Sequence, residues 1–289
     1  LENNIESLKV TILAEDSVMY ESPFWGQHGI SFLLETQGSE NKKIMIDVGQ
    51  NFEALFHNMQ ILEVDPCSID ALVLTHCHYD HTEGVSSLLE ARGNKELPII
   101  AHPDLFRPHF ITSPFLRHVG MSRQDSREKL ESKGGRLLLT SEPLEIMPGI
   151  ITTGEIPRVT DFEDAGIALK TIKEGKILKD EVHDDISVLA NVKNKGIVVL
   201  TGCSHAGIVN ISFHAMKLIP GETIEAVIGG FHLIEASGEK IDKTVKALYD
   251  INPGWVASGH CTGFRAQARL FEIFEDRFSP LSSGRTFEI

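Results

Sequence analysis

Four side chains able to bind a metal ion fall within six residues of the run Thr75-His76-Cys77-His78-Tyr79-Asp80-His81. In an extended chain alternate side chains share a side, so His76 and His78 can reach one ion together. Asp80 and His81 follow where the apolar run 71–74 gives way to a helix, and they can address a second position close by. Imidazole nitrogens and carboxylate oxygens suit zinc first, with manganese or iron as alternatives. Two such ions usually share a water or hydroxide that is nucleophilic near neutral pH. A histidine-rich surface loop would seldom place these residues with this alternation at the end of an apolar run.

The elements that must position them follow from periodicity. Strands are expected at 8–14, 29–36, 43–50, 98–101, 136–140, 150–153, 186–192, 196–201, 224–228 and 255–257, and helices at 51–62, 85–91, 208–218, 240–249 and 264–274, before a short polar tail. Three strands of the second half end in a histidine: His205 in Gly202-Cys203-Ser204-His205-Ala206-Gly207, His232 in Gly229-Gly230-Phe231-His232, and His260 in Ser258-Gly259-His260-Cys261. Ligand sites in layered α/β proteins gather at such strand ends. His232 is a candidate for substrate contact or proton transfer. His28, His57 and His214 are expected to be structural, and His102 and His109 to be loop or cap residues rather than ligands. Trp25 is expected to pack in the core. Cys77 alternates away from His76 and His78 and should fill space, whereas Cys203 is a candidate ligand.

Between about 104 and 164 the pattern loosens around Pro108 and Pro114, as in an inserted lid or subdomain, from which Arg117 and His118 could meet an acidic substrate. The turn Thr153-Gly154-Glu155-Ile156-Pro157-Arg158 presents two charges. They could form a structural ion pair, or Arg158 could hold a substrate phosphate or carboxylate, for which guanidinium geometry is suited.

The chain has 289 residues, 42% of them hydrophobic, enough for one large domain or two small ones. A net charge of −14 without a concentrated Lys/Arg face argues against nucleic acid as the partner and leaves a small molecule, phosphorylated or not, as the expected substrate. The four cysteines show no zinc-ribbon or disulfide spacing and fit a reducing compartment. No apolar run reaches the roughly 20 residues of a membrane helix, and Leu1-Glu2-Asn3-Asn4 has no signal-peptide character, so a cytoplasmic location is expected.

The stretch HCHYDH resembles the His-x-His-x-Asp-His signature of the metallo-β-lactamase superfamily, and the strand 43–50, ending in Asp47 and Gly49, is similar to that family's Asp-x-Gly. The resemblance implies an α/β fold, a four-layer αβ/βα sandwich in one domain spanning 1–289. It also implies His76 and His78 at a first metal, Asp80 and His81 at a second, His260 as the final histidine, and Asp47 as a structural residue or one orienting a ligand histidine. The sixth ligand has two candidates. His183 would be the histidine if Cys203 stands where relatives carry a bridging Asp; His205, on a glycine-flanked loop able to approach the metal, is favoured. TGEIPR, TGCSHAGIVN, GGFHL and SGHCTG further resemble a metal-dependent hydrolase branch that includes dihydropterin synthases of methanopterin-type cofactor synthesis. The leading expectation is a dinuclear hydrolase acting with a metal-bound hydroxide on an ester, thioester or phosphoester, with Asp80 moving the proton. The alternatives are a pterin-diphosphate-dependent transferase and a metal-binding sensor or partner-binding protein without turnover.

Overall fold

The computed structural model describes residues 5–165 and 168–289. Strand-forming runs rich in Val, Ile and Leu build two half-sheets. In the first, Ile5–Ala14, Ser31–Gly38 and Lys43–Ile46 form an antiparallel meander, which Ala71–Val73, Leu97–Ala101 and Gly135–Leu139 extend in parallel. In the second, Val188–Val192 and Gly196–Thr201 are antiparallel, and Ile224–Gly230, Trp255–Gly259 and Phe278–Pro280 follow in parallel. A ladder joins the halves where Ile5 meets Val192.

Period-two alternation decides which apolar layer each side chain enters. Ile44, Ile46, Ala71 and Val73 point into a central layer shared with Val198, Leu200, Ala226 and Ile228 of the other half-sheet. Met45 and Leu72 point the opposite way, onto helices Phe52–Ile61 and Val85–Ala91. In the second half Ile197, Val199, Val227 and Val256 pack on helices Ile208–Leu218, Gly238–Ile251 and Phe264–Phe274. Three apolar layers thus separate helix, sheet, sheet and helix, the expected αβ/βα sandwich. Among the described residues no helix is long and apolar enough to cross a membrane.

Two expectations change. The segment from 104 to 164 is not one continuous insert, since Gly135–Leu139 and Ile150–Thr152 pair with strands of the main sheet. What leaves that sheet is a small four-stranded lid, in which His109–Ile111 and Arg117–His118 pair onto the later hairpin Lys170–Lys173 and Lys176–Lys179. Pairing between segments about sixty residues apart leaves no local periodicity to read. The polar tail is also not free, because Thr286–Glu288 pairs antiparallel with Ile5–Ala14, setting Phe287 beside Val10.

Phe32 is fully buried in the central layer and is among the largest side chains so placed. Phe32→Ala should lower the unfolding free energy by about 3–5 kcal/mol, read from urea denaturation, and a loss under about 1 kcal/mol would mean that the half-sheets are not packed through this layer.

Candidate metal centre

The strand leading to the histidine run ends at Val73, and Thr75 to His78 continue as an extended bend into the short helix Tyr79–Thr82. His76 and His78 still lie on one side, their ring centroids 4.6 Å apart, while Cys77 turns into the apolar layer beneath the helices. Asp47, just past the end of Lys43–Ile46, fixes this bend. Its Oδ1 accepts the Thr75 N–H at 2.8 Å, and its Oδ2 accepts the Thr75 hydroxyl at 2.7 Å and lies 2.7 Å from His81 Nδ1. A carboxylate only accepts, so the Thr75 hydroxyl proton is committed to it, and His76 Nδ1, 3.0 Å from Thr75 Oγ1, must be the donor there. His76 Nε2 is then a bare lone pair.

That lone pair lies 3.0 Å from His78 Nδ1, and His78 Nδ1 lies 3.1 Å from His205 Nε2. The three rings are buried, and burial, then the neighbouring rings, hold His76, His78 and His205 well below the usual imidazole pKa. Whichever way the neutral His78 ring carries its proton, at least one of its two contacts has no proton well placed between the nitrogens. A cation among them would remove the repulsion. Two nitrogens each about 2.0–2.1 Å from a tetrahedral ion stand roughly 3.3 Å apart, close to the spacing here.

A second group adjoins the first. Asp80 Oδ2 lies 3.6 Å from His81 Nε2 and 3.3 Å from His260 Nε2. Asp47 at His81 Nδ1, and Asp16 at 2.5 Å from His260 Nδ1, point both Nε2 atoms inward. Glu15 accepts the His260 backbone N–H. Burial opposes ionisation of Asp80, but His81 and His260 hold its carboxyl far below the usual range. Cys203 Sγ, 3.1 Å from His81 Nε2, stands close to His76 and His81 on one side and to His205 and His232 on the other, and so lies between the two groups. Asp47, Ser204, His232 and His260 all have left-handed φ of 44 to 61° at the ends of strands bordering the site, where backbone strain is characteristically stored.

Of the sixth-ligand candidates, the structure brings His205 into the ring cluster and leaves His183 exposed, although Asp184 and Asp185 beside it are buried. Burial pushes the Asp185 carboxyl up to about 7, against the Ala206 N–H that its Oδ2 accepts at 2.7 Å next to His205. Arg158 is not free to meet a phosphate. Its Nη1 donates to the His205 carbonyl at 2.9 Å, and its Nη2 donates to the carbonyls of Glu181 and Val182, so it holds the His205 loop. Glu155 pairs with His102 at 3.0 Å, not with Arg158. His232 lies against His205 with the rings tilted and 4.2 Å between centroids, and it faces the pocket.

Three expectations on aromatic rings are corrected. His28 joins the site, with Nδ1 3.0 Å from Asp16 Oδ1 and Nε2 3.4 Å from Asp80 Oδ2. His109 is buried against His78, with 2.7 Å between their Nε2 atoms. Trp25 is half exposed and stacks on His57. Neither His28 nor His109 sits at the carboxyl end of a main-sheet strand, so the signal that found the other rings could not find them; Asp16 follows the strand Ile5–Ala14 but has no ligand motif around it to mark it. Over the cluster lies a pocket of about 610 Å³, with Asp80, Cys203, His232 and His260 on its floor and Ile111, Pro114, Arg117, Val119 and Leu169 as its lid wall.

Comparison with known proteins agrees with this arrangement. Residues 27–185 match the metallo-β-lactamase superfamily. Over 285 residues the chain is 39% identical to the 7,8-dihydropterin-6-methyl-4-(β-D-ribofuranosyl)-aminobenzene-5′-phosphate synthase of Methanocaldococcus jannaschii, covering 97% of this chain and 96% of that one. It is 34% identical over 261 residues to the protein MJ0448 of the same organism, covering 89% and 92%. Its fold is similar to the crystal structure of Tm1679, a metal-dependent hydrolase of the β-lactamase superfamily, with a TM-score of 0.81 at 24% identity over 98% of this chain and 99% of that one. A match across more than half its length, two relatives above 30% identity and the layered sandwich together mean that the chain belongs to the metallo-β-lactamase superfamily.

Proposed function

We propose that this chain is a two-metal transferase making the product for which its Methanocaldococcus jannaschii relative is named, by joining the methylene carbon of a dihydropterin diphosphate to the amino nitrogen of an aminobenzene ribofuranosyl phosphate with release of diphosphate and a proton. The observation that carries the metal-dependent part is the convergence of His76 Nε2, His78 Nδ1 and His205 Nε2 within 3.1 Å steps beside Asp80, His81 and His260. His76, His78 and His205 would hold one ion and Asp80, His81 and His260 the other, with Cys203 between them. Divalent ions there, zinc before manganese or iron, would supply positive charge to a departing oxyanion and lower the pKa of water. Identity of 39% over nearly the whole chain supports the transferase reading over simple hydrolysis.

The chain's own residues divide the remaining work. Asp47 and Asp16 orient the rings of His81 and His260. Arg117, exposed on the lid wall, would meet a substrate phosphate, the acidic-substrate contact the sequence offered for it and, as the alternative to an ion pair, for Arg158. Tyr79, Ile111, Val119 and Leu169 give flat apolar rings a surface and keep water from the floor. Asp80 Oδ2, an ionised acceptor on that floor, would take the proton released by the attacking amino nitrogen. Hydrolysis of a phosphoester, thioester or lactone is the second reading, favoured by the same donor set, which suits an activated water equally well.

Elemental analysis of anaerobically purified protein should find about two metal ions per chain, falling to about one in His205→Ala and unchanged in His183→Ala. Loss from His183→Ala alone would remove His205 from the ligand set. Given a dihydropterin diphosphate and the aminobenzene ribofuranosyl phosphate, the loaded protein should form the joined product, whereas turnover only of a phosphodiester, thioester and lactone panel would return the site to hydrolysis. Arg117→Ala should raise KM for the phosphorylated substrate by about 10- to 100-fold, the value of a hydrogen bond to a charged group, with kcat little changed; an unaltered KM would free the lid wall of this role.

A further inference from the structure

Behind His78, on the side away from the other rings, lies a row of side chains that the reaction above does not use. His78 Nε2 is 2.7 Å from His109 Nε2, and His109 Nδ1 is 2.7 Å from Asp180 Oδ2. His109 and Asp180 are both buried. Arg107 grips Asp180 with two donors, Nε to Oδ2 at 2.6 Å and Nη2 to Oδ1 at 3.1 Å. The same Nη2 lies 2.7 Å from Asp184 Oδ1, and Asp184 Oδ2 accepts the backbone N–H of Cys77, the residue between His76 and His78, at 2.8 Å.

The carboxylate fixes the first proton of this row. A carboxylate paired with arginine can only accept, so His109 Nδ1 donates to Asp180. When His78 binds an ion through Nδ1, its ring proton sits on Nε2, and across the 2.7 Å contact that N–H donates to His109 Nε2. His78 Nδ1, the atom facing His76 and His205, is left as a lone pair.

We infer that His109 is a positioning residue of the metal centre, which sets the tautomer and the ring plane of His78 so that Nδ1 is the ligand atom. His109 opens the lid strand His109–Ile111, and Asp180 directly follows the lid strand Lys176–Lys179. Both arms of the lid are therefore tied into the metal loop, one through His109 to the His78 ring and the other through Asp180 and Arg107 to Asp184 and the Cys77 backbone. The wall that closes over the substrate and the ring that would bind the first ion form one mechanical unit. The inference rests on the proposal that His78 holds an ion.

The test is metal affinity, measured by competition with a chromogenic chelator, together with the visible spectrum of the cobalt-loaded protein, for wild type, His109→Leu and His109→Gln. Leucine removes the acceptor, whereas the glutamine amide can accept from His78 with its oxygen and donate to Asp180 with its nitrogen. Binding in His109→Leu should weaken by about 10- to 100-fold, the usual effect of losing a partner behind a ligand histidine, with an altered cobalt spectrum, while His109→Gln stays near wild type in both. Should His109→Leu fail to fold, Asp180→Asn provides the second case and should lose affinity in the same direction. Leucine binding as tightly as wild type, or glutamine falling as far as leucine, would overturn the role. Absence of metal from the wild-type protein would instead overturn the metal-centre reading itself, so the two failures can be told apart.

Discussion

Imidazole lone pairs aimed at one another across about 3 Å in a dry interior repel, and the architecture of this protein is arranged to hold them there. His76 faces His78 through a nitrogen stripped of its proton by the Thr75–Asp47 hydrogen bond. His81 and His260 are turned the same way by Asp47 and Asp16. A carboxylate or hydroxyl stands behind these rings and pins one nitrogen so that the other points inward. A divalent cation held among them would convert this arrangement from repulsive to favourable.

The sandwich makes such convergence possible. Two half-sheets pack face to face through a central apolar layer, and the loops at their strand ends meet along one edge. His76, His78, Asp80 and His81 come from the first half, and Cys203, His205, His232 and His260 from the second. Neither half carries a complete set. The approach is close enough that glycine is required: a Cβ on Gly202 would meet the Thr75 hydroxyl and the Asp47 carboxylate, and one on Gly29 would meet the Asp80 carbonyl. The lid then gives this edge a wall on one side, anchored through Arg107, Asp180 and His109 rather than by an apolar core of its own size.

Much of this was legible beforehand because the signals are local. Helices Val85–Ala91, Ile208–Leu218 and Phe264–Phe274 have the bounds their periodicity predicts. The alternation of His76 with His78 survives although the strand stops at Val73, since the chain stays extended. Arg158 and His28 illustrate the opposite case. An arginine on a turn has the same letters whether it meets substrate or backbone carbonyls, and only the folded path of residues 181–182 and 205 decides between them. His28 has no strand-end position to mark it, and its place beside Asp16 and Asp80 comes from the loop between two paired strands.

The sequence by itself determined the superfamily, the layered fold and the grouping of candidate metal ligands in residues 76–81, because strand alternation and a compact ligand motif are encoded within a few residues. The tertiary structure alone decided that His205 and not His183 enters the cluster, that Arg158 braces a loop, and that the lid joins segments about sixty residues apart through His109 and Asp180. Those choices depend on which atoms meet across long sequence separations, where burial and hydrogen-bond geometry select one partner among many chemically equivalent ones.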